Sequence, residues 1–166
     1  MTAMASALIA LGGNVGDVRA TFRQAIAEIC RRADAALVAR SSDYITPPWG
    51  EVQQPAFVNA CIAVETAVAP HPLLAILHDV ERLFGRDRAR ETRWGPRTLD
   101  LDLIAYDDVT LDTPDLTLPH PRLFERGFVL VPLAEIVPER RIAGRRVDEA
   151  LGAVSRDGIR PLPSAE

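Results

Sequence analysis

The chain opens with a compact apolar run over residues 6–11, closed by Gly12-Gly13-Asn14. So short and continuous a run predicts a buried strand. Asp17, or Gly16 before it, then starts a helix, in which Ala20, Phe22, Ala25, Ile26 and Ile29 recur near helical spacing as far as Arg32. Residues 35–45 read as a second strand with its apolar centre at Leu37 to Ala39. Residues 46–55 hold three prolines and a glycine and read as a loop. Phe57–Thr66 alternates as a third strand, hairpinned to the second. A second helix is predicted over residues 70–84, with Pro72 near its first turn and Gly85 at the position of a C-cap glycine. Leu73, Leu74, Leu77, Val80 and Phe84 give that helix one apolar stripe, with Glu81 at its edge.

From Leu99 to Leu103 apolar and acidic residues alternate with period two, the pattern of a half-buried strand that continues to Tyr106. Residues 114–121 read as irregular, 128–136 as including a short helix, and the tail from Arg140 onward as peripheral. The order strand–helix–strand–strand–helix–strand predicts a single α+β domain over residues 1–166, of ferredoxin-like kind. It has an antiparallel sheet with helices packed on one face and a substrate cleft on the other.

Composition narrows the function classes. Hydrophobic residues make up 48% of the chain and the net charge is −4, which argues against nucleic-acid or membrane-surface partners. All 19 basic residues are arginine, so mechanisms that need a Schiff-base or Walker-type lysine are excluded. Cys30 and Cys61 fit no metal-ligand spacing and no disulfide framework, and read as buried thiols in a reducing compartment. The first apolar run has no basic flank and no cleavage site, and no stretch approaches the roughly 20 apolar residues of a membrane span. A cytoplasmic location is expected.

The chemistry concentrates between residues 82 and 102. Asp100 and Asp102 lie two apart on a strand, hence on one face and about 6.6 Å from each other. Such a pair can hold one hard cation or bridge two. Just upstream come Arg82, Arg86, Arg88, Arg90, Arg93 and Arg97, interrupted by Gly85, Trp94, Gly95 and Pro96. Guanidinium groups offer forked donors that suit phosphate oxygens. Together they describe a site for a magnesium nucleotide. Gly12-Gly13-Asn14-Val15-Gly16-Asp17 lacks both the Walker lysine and G-x-G-x-x-G spacing, and reads first as a tight strand-to-helix turn. Phe57 and Asn59 share a strand face, where an aromatic and an amide can stack on a planar ring and bond its edge. His120, set between prolines, is placed to contact phosphate with Arg122 and Arg126.

Those residues resemble one family. Trp94-Gly95-Pro96-Arg97-Thr98-Leu99-Asp100-Leu101-Asp102 is highly specific for the 6-hydroxymethyl-7,8-dihydropterin pyrophosphokinases of folate biosynthesis. Ala10 to Asn14, Tyr44-x-Thr46-Pro47-Pro48, Phe57-x-Asn59, Leu118-Pro119-His120 and Arg126-Gly127-Phe128-Val129-Leu130-x-Pro132-Leu133 are similar to the same family. The resemblance runs from about Ser6 to Arg140. It implies pyrophosphoryl transfer from ATP to the pterin hydroxymethyl oxygen, release of AMP, and two Mg²⁺ ions on Asp100 and Asp102. It also implies pterin contacts from Thr46, Pro47, Trp49, Phe57, Asn59 and Phe128. Around ATP it places Glu81, Arg88, Arg93, Trp94, Arg97, Thr117, His120 and Arg126. Arg86 and Arg97 join the two aspartates as the residues of the chemical step. A monomer with small-molecule substrates alone is expected. Two alternatives remain at this point: a kinase that transfers one phosphoryl group and yields ADP, and a non-catalytic RNA-binding sheet, against which the acid pair and the negative charge speak.

Overall fold

The computed structural model describes residues 3–47, 55–85 and 98–163. The apolar run becomes β1 (Ala5–Gly13), buried along almost its whole length on both faces. Central strands covered on both sides carry no alternation, which is why this one read as a continuous run. Helix α1 (Val18–Arg32) starts at Asp17, whose Oδ1 accepts from the Ala20 N–H (3.1 Å).

The predicted second strand is two strands, β2 (Ala36–Arg40) and β3 (Tyr44–Thr46). Between them the Asp43 carboxylate is buried and held by Arg19 (2.9 Å) and Arg40 (3.0 Å). A buried acid needs such partners, and satisfying it draws residues 41–43 out of the ladder. β2 is also less buried than its sequence suggests: Leu37 and Val38 are 45% and 59% exposed on an outer strand. β4 (Phe57–Thr66) follows, then α2 (Pro70–Leu83), which has Pro70 at its first position and ends before Gly85 at φ +90°. β5 (Asp100–Tyr106) completes the expected elements.

The 114–121 stretch is more ordered than predicted, because β6 (Leu111–Asp112) and β7 (Thr117–Leu118) form a small hairpin. A 3₁₀ turn (Leu123–Glu125) leads into α3 (Gly127–Ile136). The tail is not peripheral. β8 (Arg141–Ile142) and β9 (Arg145–Arg146) join through a turn in which Ala143 and Gly144 both have positive φ, a tight two-residue hairpin. Helix α4 (Val147–Leu151) then packs on α3, and β10 (Arg160–Pro161) pairs with β3 at the edge of the main sheet. The tail's arginines hid its apolar positions: Ile142, Val147, Ala150 and Leu151 are all buried.

The main sheet runs β10-β3-β4-β1-β5, with β2 also pairing with β4, and its pairings are antiparallel. Helices α1 and α2 cover one face, where Phe22, Ile29, Leu73 and Leu77 meet Ile9, Leu11, Leu101 and Leu103. The expected α+β sheet is therefore present. The other face is shared: α3 and α4 cover Leu8, Cys61, Ala63 and Ile104, and the site lies beyond them toward the Gly12 end of β1. Cys30 and Cys61 are free thiols, and burial pushes both thiol pKa values up.

Candidate active site

The register across three strands builds the site. Gly12 of β1 pairs with Asn59 on one side and Asp100 on the other, and Ala10 pairs likewise with Cys61 and Asp102. Directly paired residues project to the same face. One face thus carries the amide of Asn59, a floor of Gly12 and Ala10, and the carboxylates of Asp100 and Asp102. Neighbouring strands lie about 4.8 Å apart, so Asn59 and Asp100 stand about 10 Å apart across the glycine. Thr46 and Phe57 pair with each other one step further along the same face.

The Asn59 amide is held from below. It is buried, and its Nδ2 donates to the Thr46 hydroxyl at 2.8 Å. A Cβ placed on Gly12 would stand 2.8 Å from Asn59 Oδ1, and one on Gly13 would stand 2.8 Å from the Thr98 carbonyl oxygen. Gly12 and Gly13 are therefore strand residues whose missing side chains admit the amide and the segment entering β5, a reading that neither turn nor phosphate loop captured. Asn14 Nδ2 donates to the Pro55 carbonyl (2.9 Å), fixing the point where the chain returns from residues 48–54.

Asp100 and Asp102 are half-buried, and Arg126 Nη1 approaches Asp102 Oδ2 at 3.9 Å. Among the described residues no group of three or more histidine, cysteine, aspartate or glutamate side chains is arranged to hold a metal. Two carboxylates fit Mg²⁺, which is commonly held by one or two carboxylates together with water and substrate phosphates. Arg126 also sits with its guanidinium carbon 5.6 Å from the centre of the Phe128 ring.

His120 lies beside this pair. Its Nδ1 accepts from the Arg122 N–H (3.2 Å), so the neutral ring carries its proton on Nε2. Burial, helped by the Arg126 charge, lowers its pKa to about 4. At neutral pH the ring is an uncharged donor. With Thr117, Asp102, Leu74, His78 and Asp115 it lines a cleft of about 250 Å³ at the β5 edge.

Thr46, Asn59, Phe57, Phe128, Asp100, Asp102, Thr117, His120 and Arg126 thus fall along one end of the sheet face and its rim. Pro47 follows Thr46 at the end of β3. Trp49, Arg86, Arg88, Arg93, Trp94 and Arg97 lie outside the described residues. Glu81 is expected around the nucleotide, and its carboxylate reaches the backbone of β5. It is buried to 1% exposure, and its Oε2 accepts from the Leu101 N–H (2.8 Å), between the two aspartates but on the opposite side of β5. Its neighbour one turn back, His78, faces the cleft instead and was missed. The helical period alone separates the two, since Leu77, Val80 and Glu81 turn to the core while Leu74 and His78 reach the cleft rim.

Carboxylates suited to a hard cation, beside guanidinium and imidazole donors at the open end of an antiparallel α+β sheet, fit one class of protein: those that handle metal-bound phosphate groups. Comparison with known proteins narrows that class to one family. The family model for 7,8-dihydro-6-hydroxymethylpterin-pyrophosphokinase matches residues 8–138, and the chain belongs to this family. Its relatives include the 2-amino-4-hydroxy-6-hydroxymethyldihydropteridine pyrophosphokinases of Methylorubrum extorquens and Pseudomonas aeruginosa. The first is 44% identical over 94% of this chain and 98% of its own length, the second 42% over 95% and 96%. Among solved structures, Plasmodium falciparum HPPK-DHPS with pterin and p-hydroxybenzoate superposes with a TM-score of 0.71 at 13% identity, over 91% of this chain. The chain spans 43% of that longer polypeptide, and the likeness is one of fold.

Proposed function

We propose that this sheet face transfers the pyrophosphoryl group of ATP to the hydroxymethyl group of 6-hydroxymethyl-7,8-dihydropterin, a step of folate biosynthesis, and releases AMP. The register carries this reading: the ring-edge amide of Asn59 and the acid pair stand on one face with only Gly12 and Ala10 between them. A bicyclic ring bonded edge-on to Asn59, between Phe57 and Phe128, presents its far substituent toward Asp100 and Asp102. The hydroxymethyl oxygen then attacks the β-phosphorus, the bond from that phosphorus to the α,β-bridging oxygen breaks, and AMP leaves.

The chain's own residues supply position and charge. Asp100 and Asp102 would hold Mg²⁺, which when bound neutralises negative charge on the triphosphate. Arg126 and the neutral Nε2–H of His120 donate toward the nucleotide at the β5 edge, and Thr117, Leu74 and His78 line the cleft for it. Arg86 and Arg97 complete the set of cations for the charge that develops in transfer.

Incubation with ATP, Mg²⁺ and hydroxymethyl-dihydropterin, with AMP and ADP resolved by chromatography, tests the reading. Pterin-dependent AMP, lost on chelation of Mg²⁺, is the expected result. Pterin-dependent ADP would mean single phosphoryl transfer, and folded protein without turnover would overturn the reading.

The glycine floor gives a sharper expectation. Gly12→Ala forces the Asn59 carboxamide to swing and breaks its bond to Thr46. Pterin affinity should fall about tenfold, near 1.4 kcal/mol, with ATP affinity changed less than about twofold. Calorimetric titration of each substrate checks this, and equal losses for both would refute the selective role of Gly12.

A further inference from the structure

We propose that the C-terminal segment, residues 155–163, is a positioning element of the pterin site, setting the spacing between the Phe128 wall and the Thr46–Pro47 wall. The inference rests on the reading above that this face binds the pterin. The segment lies beyond residue 138, where the family match ends.

One short stretch of chain touches both walls. At Gly127, which precedes Phe128 at the start of α3, an added Cβ would stand 2.4 Å from the Ser155 carbonyl oxygen and 3.2 Å from Ile159 Cδ1. At Gly158, with φ +76°, an added Cβ would stand 2.6 Å from Pro47 Cγ and 3.2 Å from Cδ. Backbone meets wall at both points with no room for a methyl group. Ser155 and Gly158 are three positions apart in the chain, a span of at most about 11 Å.

The segment then sews itself to β3. Arg160 pairs with Ile45 and Pro161 with Tyr44, and the Leu162 N–H donates to the Asp43 carbonyl (2.8 Å). Arg19 closes the arrangement, donating to the Pro163 carbonyl (2.5 Å) and pairing with the Asp43 carboxylate (2.9 Å). β3 is only three residues long, yet β4 and β10 hold it on both edges, and Thr46, which fixes Asn59, is its last residue. A separate tie joins the same walls further from the site: the Tyr44 hydroxyl on β3 donates to Glu135 on α3 (2.5 Å). Thr46 and Phe128 therefore sit in a frame closed by residues 155–163, whereas Asp102, Thr117 and His120 lie at the opposite edge of the sheet.

Gly158→Ala and Gly144→Ala separate positioning from strain. Both put a methyl group on a residue with positive φ, but nothing lies within 4 Å of Gly144 while Pro47 stands against Gly158. Steady-state kinetics with each substrate varied in turn, on the full-length chain, should show Gly158→Ala raising the pterin KM about tenfold. Its kcat and ATP KM, and every constant of Gly144→Ala, should stay within about twofold of the unsubstituted chain. A pterin KM unchanged in Gly158→Ala, shifted equally in both variants, or shifted together with the ATP KM would overturn the proposal while leaving the site intact. An unsubstituted chain that forms no pterin-dependent AMP would overturn the reading of the site, and this proposal with it.

Discussion

Asp100→Asn and Asp102→Asn should each lower kcat at least about a hundredfold, close to 2.7 kcal/mol of barrier, while the protein stays folded. Each change removes one formal charge from the pair proposed to hold Mg²⁺, and a neutral amide is a poor substitute in an oxygen site that would also offset triphosphate charge. The fold should tolerate both substitutions, because the two side chains project half-buried from the open end of β5 while Leu101 and Leu103 fill the core. Turnover measured across a Mg²⁺ titration, with circular dichroism as the folding control, decides the matter. Full activity in either variant would remove that residue from the metal site. Asp102→Asn also deprives Arg126 of the carboxylate 3.9 Å away, so the two variants should differ in ATP affinity as well as rate.

Glu81 should produce the second large effect, and in stability first. Glu81→Leu fills the same space but leaves the Leu101 N–H buried with no acceptor from this side chain, which costs about 1–3 kcal/mol. For a chain of this size each kcal/mol corresponds to roughly 2–4 °C of melting temperature. Activity should fall further than stability accounts for, because Leu101 sits between Asp100 and Asp102 and its backbone position aims both. Glu81→Gln keeps an oxygen acceptor for the Leu101 N–H and should recover most of the melting temperature. Thermal denaturation beside the AMP assay tests this. If Gln destabilises as much as Leu, the bond to Leu101 is not what Glu81 contributes.

These two cases mark how far the sequence could be read. The aspartates were legible because period-two alternation is a local property, and Leu99 to Leu103 carries it without interruption. Helix starts were legible for the same reason, at Asp17 and Pro70, where capping chemistry sits within a few residues. The bond of Glu81 to β5 was not legible, because its partner is a backbone N–H twenty residues away and a lone acid on an apolar stripe carries no local sign of it. The Gly12-Gly13 pair was read as a turn because a glycine does not announce what passes over it; Asn59 and Thr98 do so only once β4 and β5 are paired with β1. Residues 35–45 looked like one strand since both halves are β-prone, and the break comes from Arg19, on another element, reaching Asp43. The tail's contribution was obscured by its arginines, whose charges outnumber the four apolar residues that anchor it.

The register of β1 against β5 also bears on how this gene can change length. The pairing that puts Asp100 opposite Gly12 and Asp102 opposite Ala10 is uninterrupted at the site, and its one irregularity falls further along, between Leu8 and Ile9. A codon added just after Leu99 would exchange the acids with the leucines across the sheet, burying two charges and turning apolar side chains onto the face that carries Asn59. A codon added at Ala143-Gly144 lengthens a turn whose Gly144 has open space around it, and disturbs no strand that carries the site. Insertions and deletions that survive in this lineage should therefore collect in such turns, while the β5 reading frame stays at fixed length even as its individual letters drift.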